Sequence, residues 1–152
     1  MSSDNINIKN KKARFEYLII DEFIAGIQLL GTEIKSIRQG KASIGEAYCV
    51  IQKEEVFLRN AYIDEYENGG HYNHEVRRDR KLLLNRSEIT KIHKNLKTKG
   101  FTLIPLSLFI NSKALAKIKI GLAQGKKLHD KREDEKRKDW DKQKSRLLKH
   151  NS

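Results

Sequence analysis

Histidine, cysteine and clustered basic residues are the side chains of this chain that could do chemistry. His71 and His74 lie three residues apart and could in principle share a metal ion, but no further ligand follows at a regular spacing. Cys49 is the only cysteine, and its apolar neighbours predict a buried, inert thiol. The sequence contains no Walker, GxGxxG or GxSxG pattern. A metal-dependent hydrolase is therefore an alternative that rests on the two histidines alone; a loop pair contacting RNA or solvent is the simpler interpretation.

Basic residues give a stronger indication of function. The chain carries 32 Lys and Arg against 20 Asp and Glu, a formal net charge of +12. A surplus of this size favours a polyanionic partner, a nucleic acid or an anionic membrane face, although charge also keeps a protein soluble. Two groups could neutralise phosphates: Arg77, Arg78, Arg80 and Lys81, and Lys117, Lys119, Lys126 and Lys127. The rings available to stack on bases include Tyr62, Tyr66, Tyr72 and His129.

The domain that must position these groups ends near residues 121–132, beyond which no Gly or Pro occurs and little is apolar. We therefore predict a flexible N-terminal segment over 1–12, a folded domain over 13–124 and a C-terminal tail over 125–152. No apolar run approaches the roughly 20 residues that span a bilayer, and the N-terminus lacks an apolar signal core. We expect a cytoplasmic protein without a membrane partner.

Short strands dominate the first half of the domain. Apolar runs predict strands over 15–20 and 26–30, followed by a helix over 33–39 with Thr32 as N-cap and Gly40 as C-terminal stop. Two further strands, over 46–52 and 56–63, are joined by a tight polar turn at Lys53 and Glu54. Residues 64–80 read as a long surface loop, and 81–84 as another strand.

The second half contains the clearest helix, over 86–99, where Asn85 and Glu88 form a pair typical of a capping box. Strands follow over 101–110 and 115–123, and the alternation slips phase at Pro105, which predicts a bulge or bend there. These elements predict a mainly β fold with short helices, an OB-like small antiparallel β-barrel. A two-layer α+β sandwich is the alternative.

The tail after the barrel is basic and has no apolar stripe. Residues 126–152 hold eleven Lys and Arg against six Asp and Glu. Favourable charge pairs four residues apart permit a helix, but an isolated helix without a face to bury is marginal in water. We expect a tail that is disordered when free and helical when bound to a negative partner.

Three strings resemble the SsrA-binding protein (SmpB) family: GTEIKSIRQGKASI (31–44), NHEVRRDRKLLLNRSEI (73–89) and KIKIGLAQGKKLHDKR (117–132). The resemblance implies an OB-like barrel that binds tmRNA and accompanies it to stalled ribosomes for trans-translation. It also implies a tail that occupies the decoding centre of the small subunit and the empty mRNA channel. The implied protein is a monomeric RNA-binding adaptor that is not an enzyme and needs no cofactor or metal.

The same resemblance implies particular contact residues. The tmRNA-binding face should include Gly26, Leu83, Asn85 and Lys117, to which the basic run adds Arg80 and Lys81. At the ribosome, Gly125, Lys126 and Lys127 should orient the tail and His129 should stack on a ribosomal base, whereas Asp130, Lys131 and Arg132 open the channel segment. Asn85 has a rival role as a helix cap.

Two positions depart from the family pattern. Ile24 stands where an acidic residue is usual in the Phe-x-Ala-Gly turn, and Glu75-Val76 replaces Asp-Pro after His74. A general single-strand-binding OB protein is the remaining alternative; it would follow charge and bases and ignore the tertiary shape of the RNA.

Overall fold

The elements of the fold follow one another over residues 6–125, the part of the chain that this computed structural model describes. In chain order they are β1 (Asn7–Lys9), α1 (Ala13–Glu16), β2 (Tyr17–Ile27), α2 (Gly31–Arg38), β3 (Ala42–Ser43), β4 (Tyr48–Gln52), β5 (Glu55–Arg59), β6 (Tyr62–Ile63), β7 (Arg80–Leu83), α3 (Arg86–Leu96), β8 (Phe101–Ile110) and β9 (Ala116–Gly125). A single 3₁₀ turn (Gly70–Tyr72) lies between β6 and β7. None of the described helices is long and apolar enough to cross a membrane.

Antiparallel pairing closes these strands into a barrel. The order runs β8, β4, β5, β7, β2, β9, and β9 pairs again with β8, so that the sheet returns to its first strand. The closing contact between β4 and β8 is the pair Cys49 and Leu103. Strand β1 pairs with Ser107, Leu108 and Phe109 of β8, beyond the contact with β4. Strands β3 and β6 form a separate two-stranded sheet. The small antiparallel barrel predicted from the sequence is confirmed, and the two-layer sandwich is wrong.

Because of a bulge, strand β8 contributes side chains to two hydrophobic clusters. The register with β9 shifts between Pro105 and Ser107, where the sequence predicted a bulge. Because the bulge changes which side chains point inward, Leu103 and Leu108 lie in the main core, whereas Ile104 and Leu106 pack in a second cluster. Pro105 lacks a backbone N–H, so the ladder is interrupted where no donor is lost.

The N-terminal part of the domain differs from the prediction. Residues 15–30 do not form two strands, because β2 is one strand of 11 residues. Its register shifts between Ile19 and Asp21, and this irregularity interrupts the apolar alternation that would have indicated a single strand. The segment predicted to be flexible contributes β1. Asn10 anchors it, because its backbone N–H donates to Leu106 O at 2.9 Å and its Nδ2 donates to Pro105 O at 3.0 Å.

Helix α2 also begins earlier than predicted. Its N-cap is Leu30, whose backbone N–H donates to Glu33 Oε1 at 2.7 Å, and not Thr32, whose hydroxyl is hydrogen-bonded to His74 Nδ1 at 2.8 Å. The C-terminal stop is as predicted. Gly40 has φ +74, and the N–H groups of Gly40 and Lys41 donate to Ile37 O and Ser36 O, the two bonds of a Schellman motif.

The turn between β4 and β5 confirms another prediction. Lys53 and Glu54 both have positive φ, +50 and +64, as in the two-residue hairpin turns whose twist matches that of the strands. The strands pair from Tyr48 with Arg59 to Gln52 with Glu55, and β5 therefore ends four residues earlier than the predicted strand. The chain bends at Asn60, which has φ +62, and Tyr62 and Ile63 form β6 in the other sheet.

A buried ion pair joins α2 to the barrel. Glu33 and Arg80 both have fully buried side chains, and Arg80 Nε donates to Glu33 Oε2 at 2.5 Å. Arg80 also donates to Ala61 O at 2.8 Å, and Arg78 Nη2 donates to Glu33 Oε1 at 2.6 Å. Burial alone would raise the pKa of the Glu33 carboxyl, but hydrogen bonds from Arg78, the Leu30 N–H and Arg80 outweigh it, so this pKa lies below its usual value.

Removing this carboxylate should be costly. Glu33→Gln leaves the buried Arg80 without a counter-charge, so we expect the free energy of unfolding to fall by about 3–5 kcal/mol. Glu55→Gln is the matched control, because Glu55 pairs with Lys81 at 3.1 Å on the surface and should contribute less than about 1 kcal/mol. Urea unfolding of both variants measures the difference, and equal losses would contradict the role of the buried pair.

The same pair predicts acid sensitivity. Because the folded pKa of Glu33 lies below its ordinary 4.5, its contribution is present above that pH and is lost as the pH falls through the folded value. The Tm of the wild-type protein should therefore drop more steeply below pH 4.5 than the Tm of Glu33→Gln.

Candidate nucleic-acid interface

Three of the predicted contact residues lie in one row across adjacent strands. Gly26 on β2 pairs with Leu83 on β7 and, on its other side, with Lys117 on β9. Neighbouring strands are about 4.8 Å apart, so the three backbones lie within roughly 10 Å. Since Leu82 and Ile118 are buried, strand alternation points Leu83 and Lys117 outward. We call Leu83, Gly26 and Lys117 the glycine row.

Gly26 makes room in the middle of this row. A Cβ placed there would lie 3.2 Å from Leu83 Cβ, closer than ordinary contact, so a larger residue would force Leu83 to move. Leu83 lies across this gap with 48% of its surface exposed. Leu83 Cδ1 and Cγ lie 3.4 and 3.7 Å from the same Cβ position, so the Leu83 side chain packs over Gly26. The row therefore combines an exposed apolar side chain, which packs over the glycine, with a cation on the neighbouring strand.

Ile24 extends the apolar part of the same face. It lies two residues before Gly26 on β2, pairs with Lys119 and is 57% exposed. The side chain that departs from the family pattern is therefore on the outer surface beside the glycine row. Ile24 and Leu83 offer van der Waals contact to a ribose or base, and Lys117 and Lys119 border them with positive charge.

Asn85 continues from Leu83 into the first turn of α3, where it is the N-cap as predicted. Its Oδ1 accepts from the Glu88 N–H at 2.9 Å, and the Asn85 N–H donates to Glu88 Oε1 at 3.1 Å. Asn85 is exposed, and its Nδ2 takes no part in the cap. The carbonyl end of this side chain therefore serves the fold, while the amino end remains available to a ligand.

The first basic group is bound to other residues of the protein, and Arg80 corrects one prediction. Arg80 was expected to contact RNA, but its side chain is fully buried against Glu33. Arg78 is bound to the same carboxylate, and Arg77 donates to Asn60 O at 3.1 Å. Lys81 is half-buried on the outer face and pairs with Glu55 at 3.1 Å. The sequence does not reveal this, because Glu33 lies 47 residues before Arg80 and only folding brings them together.

Two of the predicted stacking rings and one of the two histidines are also engaged within the protein, whereas His71 is exposed. Tyr62 lies 5.5 Å beneath Arg77 and Tyr66 lies 5.3 Å beneath Lys35, while Tyr72 is 90% exposed. His74 is buried: its Nε2–H donates to Ile63 O at 2.8 Å, and Thr32 is bonded to Nδ1. Both ring nitrogens are therefore occupied.

The predicted histidine pair gains no further metal ligand among the described residues. Residues 6–125 contain no group of three or more His, Cys, Asp and Glu that could hold a metal ion. Cys49 is buried, and burial raises the pKa of its thiol far above neutrality, so its reactive thiolate is disfavoured.

The predicted ribosome-contacting residues begin where the described residues end. Gly125 is the last residue of β9, is exposed, and pairs with Tyr17 at the start of β2. Lys126, Lys127, His129, Asp130, Lys131 and Arg132, together with the predicted conditional helix, lie outside the described residues.

The two roles of Asn85 can be separated by substitution. Asn85→Ala removes the cap and should lower the free energy of unfolding by about 1 kcal/mol, whereas Asn85→Asp keeps an acceptor for the Glu88 N–H and should retain most of the stability. Thermal unfolding checks both variants. Equal stability of Asn85→Ala and wild type would contradict the capping role.

The fold and this face define a small antiparallel β-barrel protein with a lysine-bordered outer surface. Comparison with known proteins then identifies its family. The family model described as SmpB protein matches residues 7–150. The chain belongs to the SmpB family.

Individual relatives agree over almost the whole chain. A protein of Allorhizobium ampelinum named SsrA-binding protein is 52% identical over 146 residues, 96% of this chain and 92% of the relative. Proteins of the same name from Flavobacterium johnsoniae (52% identity, 95% of this chain, 96% of the relative) and Bacteroides thetaiotaomicron (50%, 98% and 99%) are equally similar. A solved structure described as "tmRNA-SmpB: a journey to the center of the bacterial ribosome" matches with a TM-score of 0.68 at 40% identity, covering 81% of this chain and 86% of that one.

Proposed function

We propose that this protein is an RNA-binding adaptor that binds the tRNA-like domain of tmRNA and delivers it to stalled ribosomes for trans-translation. Its relatives at about 50% identity are named SsrA-binding protein, and its solved relative is described with tmRNA and the bacterial ribosome. The adaptor acts by binding alone, as a cytoplasmic monomer, and needs no cofactor.

The glycine row is the observation that carries this proposal. An RNA can lie across the glycine row, where Leu83 packs over Gly26, and its phosphates can accept from Lys117. Leu83 and Ile24 contact ribose or an unstacked base, and Asn85 Nδ2 can donate to RNA beside them. These contacts require an RNA with a matching three-dimensional shape, because the three paired strands fix the distances between the contact residues.

The second RNA surface is the segment that follows β9. Residues 126–152 are strongly basic and follow Gly125, which pairs with Tyr17 at the start of β2. We assign to this segment the decoding centre and the empty mRNA channel. Gly125, Lys126 and Lys127 would orient it, His129 would stack on a ribosomal base, and 130–132 would open the channel segment.

The first test is selectivity among RNAs. We expect the dissociation constant for the tRNA-like domain of tmRNA to be at least tenfold lower than for ordinary tRNA or unstructured RNA at about 150 mM salt, because a fixed row of contacts reads shape. Gly26→Val should displace Leu83 and weaken this binding about tenfold or more, whereas Lys97→Gln on the far end of α3 should not. Equal affinity of the wild-type protein for all three RNAs would instead support the general single-strand-binding alternative.

The division into two surfaces predicts a separable defect. A protein that ends at Arg132 should bind the tRNA-like domain with an affinity within about threefold of wild type, because the glycine row is intact, but should fail to rescue stalled ribosomes in a reconstituted translation reaction. Simultaneous loss of both activities would show that the surfaces are not independent.

A further inference from the structure

A second basic site lies at the junction of β1, α1, β8 and β9, on the outer side of the barrel. It is a cleft of about 480 Å³ whose lining includes Asn7, Lys9, Asn10, Lys11, Arg14 and Lys119. This volume is within the range of small-ligand sites and can hold a phosphate with its ribose. Three of the four cations precede β2, in and after the segment that the sequence predicted to be flexible. We call this site the β1 cleft.

The positive charge of the β1 cleft is largely uncompensated by the described part of the chain. Arg14 Nη2 pairs with Glu22 Oε1 at 2.6 Å, and the neighbouring carboxylate of Asp21 is bound to Lys91 at 2.7 Å. Within the described residues, no carboxylate lies within ion-pair distance of Lys9, Lys11 or Lys119. Among the residues that the structure describes, the lining contains no acidic side chain. Three like charges around one cleft repel one another, and a bound polyanion would relieve that repulsion.

The fold holds these lysines in place. Lys9 belongs to β1 and pairs with Ser107, which in turn pairs with Lys119 across β8 and β9. The two bonds of Asn10 to Leu106 O and Pro105 O fix the chain between Lys9 and Lys11. The cleft is therefore formed by tertiary structure and does not depend on a single flexible lysine.

The position of the cleft indicates its ligand. Lys119 lies two residues after Lys117 on β9, on the same outward face, and pairs with Ile24 beside the glycine row. Cross-strand pairing thus forms a second row, parallel to the glycine row, from Ile24 through Lys119 and Ser107 to Lys9. With strands about 4.8 Å apart, Lys9 lies only two strands from Lys119, within reach of an adjacent stretch of the same RNA backbone.

We propose that the β1 cleft binds backbone phosphates of the RNA that occupies the glycine row, extending the interface over β9 and β8 to β1. This inference rests on the proposed function, since it names the same RNA as the ligand. Lys9 and Lys119 are the main phosphate contacts, and Lys11 adds charge at the rim. Such contacts strengthen and position the complex without reading its sequence.

Salt dependence tests the proposal in the full-length protein. Each lysine that neutralises a phosphate contributes about one unit, or slightly less, to the slope of log affinity against log salt. For the tRNA-like domain of tmRNA, Lys9→Gln with Lys119→Gln should lower this slope by about 1.4–2 and raise the dissociation constant roughly tenfold at 150 mM salt. Lys9→Arg with Lys119→Arg should restore the slope, because arginine also neutralises phosphate.

The control removes equal charge elsewhere. Lys94→Gln with Lys97→Gln, on exposed positions near the end of α3, should leave the slope unchanged, and thermal unfolding should confirm that all variants fold. An unchanged slope in the Lys9 and Lys119 variant, or an equal decrease of the slope in the control, would overturn the proposal that the β1 cleft binds RNA. In that event wild-type preference for the tRNA-like domain would still support the proposed function, whereas absence of that preference would overturn both.

Discussion

The ion pair between Glu33 and Arg80 holds together parts of the chain that would otherwise be independent. Glu33 lies in the first turn of α2, and its carboxylate also accepts the Leu30 N–H that begins the helix. Arg80 begins β7 and reaches Ala61 O just before β6. One buried carboxylate therefore fixes the start of a helix, the start of a barrel strand and the connection to the small sheet. The arrangement tolerates burial because each charge is both paired and hydrogen-bonded.

This interaction also determines which basic residues remain for a ligand. Arg78 and Arg80 are bound to Glu33, and Arg77 is bound to Asn60, so this basic run serves the fold. Lys117 and Lys119 lie instead on a strand whose alternate residues are buried, and alternation turns them outward. Basic residues of similar type therefore have opposite roles, according to whether a carboxylate is packed against them.

The outer face of the barrel depends on long bent strands. Strands β2, β8 and β9 have 11, 10 and 10 residues, and the shifts at Ile19/Asp21 and Pro105/Ser107 bend them. Strands β2 and β9 carry Gly26 and Lys117 of the glycine row at one end, and β9 ends at Gly125 at the other. The same strands thus connect the proposed tmRNA surface with the origin of the basic C-terminal segment, and β1, held by Asn10, widens the surface on its β8 side.

The sequence by itself determined the features that depend on neighbouring residues. The Asn85 and Glu88 capping box, the left-handed Gly40, the turn at Lys53 and Glu54 and the bulge at Pro105 are local. Each was predicted from a short stretch of sequence: a capping pair, a glycine after a helix, a polar break between two apolar runs, and a proline within a strand. The family resemblance likewise implied Gly26, Leu83 and Lys117. Tertiary structure decided what depends on distant partners: Arg80 is buried because Glu33 meets it, β1 forms because β8 offers an edge, and the lysines of the β1 cleft converge because β8 and β9 place Lys119 near Lys9. Whether a charged side chain is buried and paired depends on the residues packed around it. A local sequence pattern does not show contacts between residues about 50 or 100 positions apart.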